Sequence, residues 1–432
     1  MSHTISFHTF GCRLNQSETA AMENRFTTAG YKIVPIDKPA SVAVINTCTV
    51  TENGDADTRR LVSKLSRFNP SVKIALVGCQ AQIQKEKLTE LPNVRWVVGN
   101  ARKMELLEII EENADPLDKR VIAPTIPKAP FTIPSTAIAL ERTRANLKIQ
   151  DGCDFFCSFC EIPYARGRGR SRVFEDILRE ANSLAGAGYK EIVLTGINIG
   201  TYDFEGKTLM DVIDTLEQIP TLERLRISSI EPTTIPLALI DKMALSLKGK
   251  SKLCRHLHIP LQSGDDAVLK AMRRKYSIKD FRDLINLITE RVPQVCLGTD
   301  IIVGFPTEDS QAFKESERIV QDMPLHYLHV FSYSARSLAK SRLLEGSVLP
   351  QEIEVRSRTL RELSARKRKL FYQSLLGRRQ EVLFEGNESP LWQGLTDNYV
   401  PVEVNSTENL GNQIKDVALK EIQGLKILGE VR

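Results

Sequence analysis

Long apolar runs are missing from this chain. Nowhere do its 432 residues approach the roughly 18 consecutive apolar positions needed to cross a bilayer, which excludes an integral membrane role. Cysteine is scarce as well. Eight cysteines, unevenly spaced, are too few for a disulfide scaffold in a chain of this length. The opening Met1-Ser2-His3-Thr4-Ile5 has neither the basic nor the apolar region of a secretory leader. Both absences place the protein in the reducing cytoplasm. A large excess of one charge is missing too, since 59 basic and 54 acidic residues leave a net +5, so only local clusters carry information about partners. The length points to two to four domains.

Three of the eight cysteines are concentrated in one run, Cys153-Asp154-Phe155-Phe156-Cys157-Ser158-Phe159-Cys160. This C-x-x-x-C-x-x-C spacing supplies three thiolates from one loop and no fourth. A structural zinc site takes four protein ligands, usually as two C-x-x-C pairs, and the chain has no second pair. An iron–sulfur cube with one iron left open fits the donor count better.

The chain divides by composition. Between Asn113 and Arg144 lie Pro116, Pro124, Pro127, Pro130 and Pro134 with little periodicity, which marks residues 116–140 as a linker between independently packed units. Residues 1–115 alternate strand-like and helix-like stretches, with strands expected at Ile5–Phe10, Val42–Asn46 and Lys73–Val77. Asn15 followed by Glu18 reads as a helix N-cap, with the helix closing near Gly30. That order predicts a doubly wound parallel sheet. Residues 141–368 repeat the alternation six times, with strands from Ala145, Glu191, Arg224, His256, Leu297 and Tyr327, so a partial (β/α)6 barrel is expected. Residues 369–432 show short apolar alternations separated by Gly and Asn and read as a small antiparallel β-barrel. The whole is an α/β chain.

Cys12, Cys48 and Cys79 each fall just past the carboxyl end of one of the three N-terminal strands. Parallel strands end on a common edge, where sites in open α/β sheets form. Alone, each is more often a small buried apolar residue. Their shared position predicts a second three-thiolate site. Cys254 and Cys296 match no ligand pattern and are assigned to the core. His256 and His258 share one face of a strand and are read as hydrogen-bonded filling, because no carboxylate stands beside them in sequence.

Four motifs carry a resemblance over nearly the whole chain. They are Thr9-Phe10-Gly11-Cys12-Arg13-Leu14-Asn15-Gln16-Ser17-Glu18, Asp151-Gly152-Cys153 through Cys160 with Ile162-Pro163-Tyr164-Ala165-Arg166-Gly167, Leu257-His258-Ile259-Pro260-Leu261-Gln262-Ser263-Gly264, and Thr299-Asp300-Ile301-Ile302-Val303-Gly304-Phe305-Pro306. Together they resemble the radical S-adenosylmethionine (radical SAM) methylthiotransferases, which install a methylthio group on tRNA or on a ribosomal protein. The resemblance implies two [4Fe-4S] clusters and SAM as cofactors. Cys153, Cys157 and Cys160 would hold the cluster that cleaves SAM to a 5′-deoxyadenosyl radical, with Phe159 near the adenine. Thr195, Gly196 and Asn198 would meet the methionine amine, although this segment departs from the commoner Gly-Gly-Glu form. Ser228, Ser229, Glu231, Gln262 and Ser263 would contact the ribose or carboxylate, and residues of these types also cap helices and make turns. Cys12, Cys48 and Cys79 would hold the cluster that carries the sulfur to be inserted.

Substrate is read from charge. Nine basic residues lie between Arg356 and Arg379 against Glu362 alone, which suits phosphate contacts as well as a solvated helix face. The segment Leu391–Val402 after it resembles a TRAM domain, a small RNA-binding barrel. Arg378 and Arg379, together with Arg166 and Arg168 beyond the cluster loop, are candidate RNA contacts, and Trp392 and Tyr399 are candidates both for stacking on bases and for the barrel core. Pro163–Arg168, Leu194–Asn198 and Ile227–Pro232 favour the branch that modifies C2 of N6-threonylcarbamoyladenosine beside the tRNA anticodon. The isopentenyladenosine branch is the alternative, then the branch acting on a ribosomal-protein aspartate. A non-catalytic iron–sulfur RNA-binding protein would leave the barrel motifs unexplained. The implied partners are tRNA, an electron donor such as a flavodoxin or ferredoxin, and a sulfur source.

Overall fold

Apolar strands alternating with amphipathic helices build, in the computed structural model, three units packed in chain order. The structure describes residues 4–49, 52–112, 118–134, 143–388 and 390–431. The ends of the expected linker, at 116–117 and 135–140, and the first two positions of the expected barrel domain lie outside the described residues.

The first unit is a six-stranded, all-parallel sheet in the order Lys32–Ile33, Thr4–Thr9, Val42–Thr47, Lys73–Gly78, Val94–Val98, Arg120–Ile122. Its central strand Val42–Thr47 is buried at every position, because helices cover both faces of the sheet. Met22 and Phe26 of helix Arg13–Thr28 pack on one face, and Val62 and Leu65 of helix Glu52–Phe68 pack on the other. The sixth strand, Arg120–Ile122, falls inside the span expected as linker. The first helix departs from expectation. It opens at Arg13 with Cys12 at its N-cap, and Asn15 and Glu18 are buried within it. Asn15 instead donates its Nδ2 to the carbonyls of Phe10 (2.8 Å) and Thr47 (3.1 Å), tying the loop after the first strand to the end of the third.

The second unit has the six expected strands in two three-stranded parallel sheets. One runs Arg224–Ile227, Glu191–Thr195, Arg144–Lys148, and the other runs His256–His258, Cys296–Val303, Tyr327–Ser332. The sheets meet where Cys254 N donates to Leu225 O (2.8 Å) and Ile230 N to His258 O (3.0 Å). Arg144–Lys148 and Tyr327–Ser332 are left as the two open edges of a partial barrel. Helix Arg13–Thr28 of the first unit packs against the Arg144–Lys148 edge.

Helix Pro350–Leu375 packs on the other edge strand, Tyr327–Ser332, and leads into the third unit. That unit is a closed five-stranded barrel in the order Arg379–Glu388, Leu391–Thr396, Pro401–Asn405, Lys426–Val431, Ile414–Gln423. Four of its pairings are antiparallel, as expected, but Pro401–Asn405 and Lys426–Val431 pair parallel to close it. It docks on the amino ends of the partial barrel's strands. Arg224 donates to the carbonyls of Leu395 (3.0 Å) and Glu381 (2.8 Å), and Arg226 donates to those of Asp397 (2.8 Å) and Thr396 (3.2 Å). Arg255 pairs with the Asp397 carboxylate at 2.6 and 2.8 Å. No helix among the described residues is long and apolar enough to cross a membrane.

Candidate functional site

The loop carrying Cys153, Cys157 and Cys160 leaves the first barrel strand through Gly152, at φ +69°, where a Cβ would lie 2.0 Å from the Arg168 carbonyl. Phe155 N donates to Cys153 Sγ at 3.5 Å and Ile162 N to Cys160 Sγ at 3.4 Å, so backbone amides point at the sulfurs. Burial raises all three thiols, that of Cys153 to about 11, and the charges of neighbouring cysteines raise Cys153 and Cys160 further. The three sulfurs therefore face one another in a poorly solvated pocket that favours a positive centre. Among the described residues, His258, Asp300 and His329 place potential ligand atoms within 4.8 Å of one another.

A cation reaches these sulfurs. Arg274 Nη1 donates to Cys157 Sγ at 3.2 Å, and the same guanidinium pairs with Glu231, which burial raises and Arg274 lowers. Sequence reasoning missed Arg274, which lies in a turn after a short helix and outside every recognised motif.

The second set of cysteines gathers where the sheet geometry requires. Thr9 stands opposite Asn46, and Thr47 opposite Gly78, so Cys48 and Cys79 leave adjacent strands at one level and Cys12 follows the strand beside them. A Cβ on Gly11 would lie 2.8 Å from Cys48 Sγ, which shows how closely the Cys12 loop approaches Cys48. Asn100 Nδ2 lies 3.5 Å from Cys79 Sγ.

Beside the cluster loop lies a cavity of about 200 Å³, lined by Cys160 and Phe159, by Thr49, the residue after Cys48, and by Gln262, Asp300 and Phe331 from the barrel. Its wall is sealed by Arg336, which donates to Thr49 Oγ1 (2.8 Å), Asp55 (2.8 Å) and Glu161 (3.1 Å) and so joins the first unit to the barrel.

The remaining residues expected at SAM divide. Gln150 Oε1 accepts from the amides of Ile197 (3.0 Å) and Asn198 (2.8 Å) and shapes the turn after Thr195 and Gly196. Asn198 Nδ2 is buried with no partner, an unused donor that suits a polar ligand. Gln262 lines the cavity at φ +72°, an unusual conformation for a residue with a side chain. Ser228 and Ser229 are half-buried at their strand end, where Ser229 Oγ donates to His258 O (3.3 Å). Ser263, next to Gln262, is fully buried, and its Oγ accepts from Asp265 N at 3.3 Å.

His258 does have a carboxylate beside it, from the neighbouring strand. Its Nε2 lies 2.7 Å from Asp300 Oδ1, its Nδ1 lies 3.1 Å from Tyr327 Oη, and His256 Nε2 lies 2.8 Å from the same hydroxyl. Burial alone would raise Asp300, but His258 and His329 outweigh it and hold the carboxyl well below its usual range.

Among the expected RNA contacts, Arg166 is corrected outright. Its side chain is 0 % exposed. It bonds Glu18 at 3.0 and 2.9 Å, Asp151 at 3.0 Å and Asn15 at 2.5 Å. Lys103 and Lys148 share Glu18, and Lys148 also reaches Asp151 at 2.7 Å. This buried network bolts the first unit to the barrel beside Cys79. Arg168 is exposed and pairs with Asp154 at 3.0 Å. Arg378 and Arg379 are exposed on the third unit. Trp392 is 5 % exposed within that unit's core and donates Nε1 to Ser406 O, which removes it from any stacking surface. Tyr399 projects from the third unit against His256, with ring centroids 4.2 Å apart, and its hydroxyl accepts from Arg13 at 2.9 Å.

Residues 147–319 match the Radical SAM superfamily, and residues 4–99 match the Uncharacterized protein family UPF0004. The chain is 36 % identical over 416 residues to the threonylcarbamoyladenosine tRNA methylthiotransferase MtaB of Aquifex aeolicus (strain VF5), covering 95 % of this chain and 99 % of that protein. It is 36 % identical over 433 residues to MtaB of Bacillus subtilis (strain 168), covering 96 % and 93 %. It is 29 % identical over 439 residues to the tRNA-2-methylthio-N(6)-dimethylallyladenosine synthase of Thermodesulfovibrio yellowstonii (strain ATCC 51303 / DSM 11347 / YP87), covering 99 % and 98 %. Among solved structures, the fold is similar to the radical SAM methyltransferase TsrM of Kitasatospora setae with cobalamin and a [4Fe-4S] cluster bound. The TM-score is 0.57 at 15 % identity, over 77 % of this chain and 75 % of that one.

Proposed function

The chain belongs to the MtaB family of radical SAM tRNA methylthiotransferases, and from that premise we propose that it inserts sulfur and a methyl group at C2 of N6-threonylcarbamoyladenosine beside the tRNA anticodon. The observation that carries this reading is the cavity of about 200 Å³ bounded by Cys160 and Phe159 on one side and by Thr49, next to Cys48, on the other. Cys153, Cys157 and Cys160 would hold an iron–sulfur cluster, which would supply reductive cleavage of SAM, and Cys12, Cys48 and Cys79 would hold a second, which would carry the sulfur to be inserted.

The chain's own residues bind, orient and shield. Asn198 offers its free Nδ2, and Glu231, oriented by Arg274, offers a carboxylate to the polar end of SAM. Phe159 and Phe331 give the cavity apolar walls that keep water from a reactive carbon. Gln262 and Asp300 face the same space, and Asp300 stays ionised because two histidines hold it so. Arg336 and the Glu18–Arg166 network fix the distance between the two cysteine sets, and orientation of this kind is where such sites gain rate. The exposed arginines Arg168, Arg378 and Arg379 serve phosphate contacts, and a flavodoxin or ferredoxin and a separate sulfur source complete the reaction in the cytoplasm. The higher identity to threonylcarbamoyladenosine enzymes than to the dimethylallyladenosine synthase supports this branch. Nucleoside mass analysis of tRNA from a strain lacking the gene tests it. The methylthio form of threonylcarbamoyladenosine should be missing, and loss of only the isopentenyl form would reject the assignment.

A further inference from the structure

Along the open edge strand of the partial barrel, Tyr327, His329 and Phe331 alternate onto the face that looks into the barrel. Phe331 is 40 % exposed and the His329 side chain 55 %. Successive ring centroids are 5.4 and 6.5 Å apart, so the three make a continuous aromatic track. Its upper end, Phe331, lines the cavity against Cys160. Its lower end opens into a second cavity, of about 230 Å³, at the seam of all three C-terminal parts of the chain. Tyr327 and His329 of the strand, Arg368 and Tyr372 of helix Pro350–Leu375, and Tyr399 of the third unit line it. Arg368 stands over Tyr327, 5.7 Å from the ring centroid. The two cavities are separated by one cross-strand pair: Asp300 lines the first, and His329, its partner at 3.4 Å, lines the second.

Aromatic rings lining a cavity beside a guanidinium are the chemistry that holds an unpaired nucleobase and its phosphate, because every base has a π face and every nucleotide a negative charge. The Asp300 carboxylate lines the first cavity and not the seam, and it is bonded by His258 at 2.7 Å. We infer that the seam cavity binds the nucleotide next to the modified adenosine in a single-stranded RNA loop, with the β-strand track guiding the chain between the two cavities. The inference rests on the tRNA reading above. It gives the third unit a structural part in the site: Tyr399 and the rim residue Leu425 complete a base pocket that the partial barrel alone would leave open.

The test is fluorescence-anisotropy binding of a threonylcarbamoyladenosine-containing anticodon stem-loop to the reconstituted full-length protein, with an abasic nucleotide placed on either side of the modified base. The wild-type protein should lose on the order of 10-fold in affinity for one of the two abasic loops. In Arg368→Gln, intact-loop affinity should fall and the extra abasic loss at that position should shrink toward 1-fold. Leu425→Glu, at a 62 % exposed position on the rim, should do the same without touching the core, and unchanged melting temperatures show that both variants are folded. Tight binding that is indifferent to both abasic positions, or an abasic loss identical in wild type and both variants, overturns the pocket alone. Failure of the wild-type protein to bind any stem-loop overturns the pocket and the tRNA reading together.

Discussion

Glu18→Gln is expected to release the first unit from the barrel. Glu18 is fully buried, with Lys148 Nζ at 2.7 Å, Arg166 at 3.0 and 2.9 Å, and Lys103 in contact. Burial would raise its carboxyl, but these three cations overcome that and hold it well below its usual range. At an effective dielectric of 20, each unit charge near 3 Å is worth about 5 kcal/mol before desolvation, and removing one side of a buried cluster costs about 3–5 kcal/mol net. Glutamine keeps the shape and removes the charge, leaving three buried cations that share only Asp151 and neutral acceptors. The chain has two tryptophans, Trp96 in the first sheet and Trp392 in the terminal barrel, both buried. In a Trp392→Phe background, urea unfolding followed by Trp96 fluorescence reads the first unit. With a slope of about 3 kcal/mol per molar, the midpoint should fall by about 1–1.7 M. Arg168→Gln, an exposed pair, should move it by less than about 0.3 M. If Glu18→Gln shifted the midpoint no further than Arg168→Gln, the buried network would not be what joins the units.

Three further outcomes follow from the same geometry. Cys157→Ala should abolish release of 5′-deoxyadenosine from SAM, whereas Cys48→Ala should keep that release and lose methylthio product; loss of both in the Cys48 variant would count against separate sites. Arg274→Gln removes a cation bonded to a cluster-loop sulfur, so EPR-monitored titration of the reconstituted protein should give a more negative reduction potential for the cluster held there. Burial lowers His326 to about 4, where its Nδ1 accepts from Leu297 N at 2.9 Å. A histidine depressed on folding favours the unprotonated state. Its stabilising contribution is therefore present above about pH 6.5 and is lost, by at most about 3 kcal/mol, as pH falls toward 4; His326→Gln should flatten that slope in urea titrations at graded pH.

What could be read beforehand followed from local periodicity. Cys12, Cys48 and Cys79 were legible because apolar runs mark where strands end, and parallel strands end together. The six barrel strands were legible for the same reason. Long-range pairing was not. Arg166, Arg168, Arg170 and Arg172 look like one cationic patch in sequence, yet Arg166 meets Glu18 148 positions away and Arg172 pairs with Asp176 and Glu180 inside the core. Asn15 and Glu18 have the spacing of a cap box, but the helix begins two residues earlier and spends both side chains on tertiary bonds. His258 seemed to have no carboxylate because Asp300 lies 42 positions on, one strand across. Trp392 alternates with polar neighbours as a surface aromatic would, and only closure of the barrel shows which face is inside.

A tRNA adenosine is expected to gain its methylthio group at the cavity lined by Cys160 and by Thr49, the residue after Cys48. Anaerobically reconstituted protein, given SAM, a reductant, sulfide and a stem-loop carrying threonylcarbamoyladenosine, tests it through mass spectrometry of the digested nucleosides. The account predicts the 2-methylthio derivative of threonylcarbamoyladenosine, with an isopentenyladenosine loop left unmodified. Conversion of the isopentenyl loop alone, or cleavage of SAM with both nucleosides intact, would contradict it.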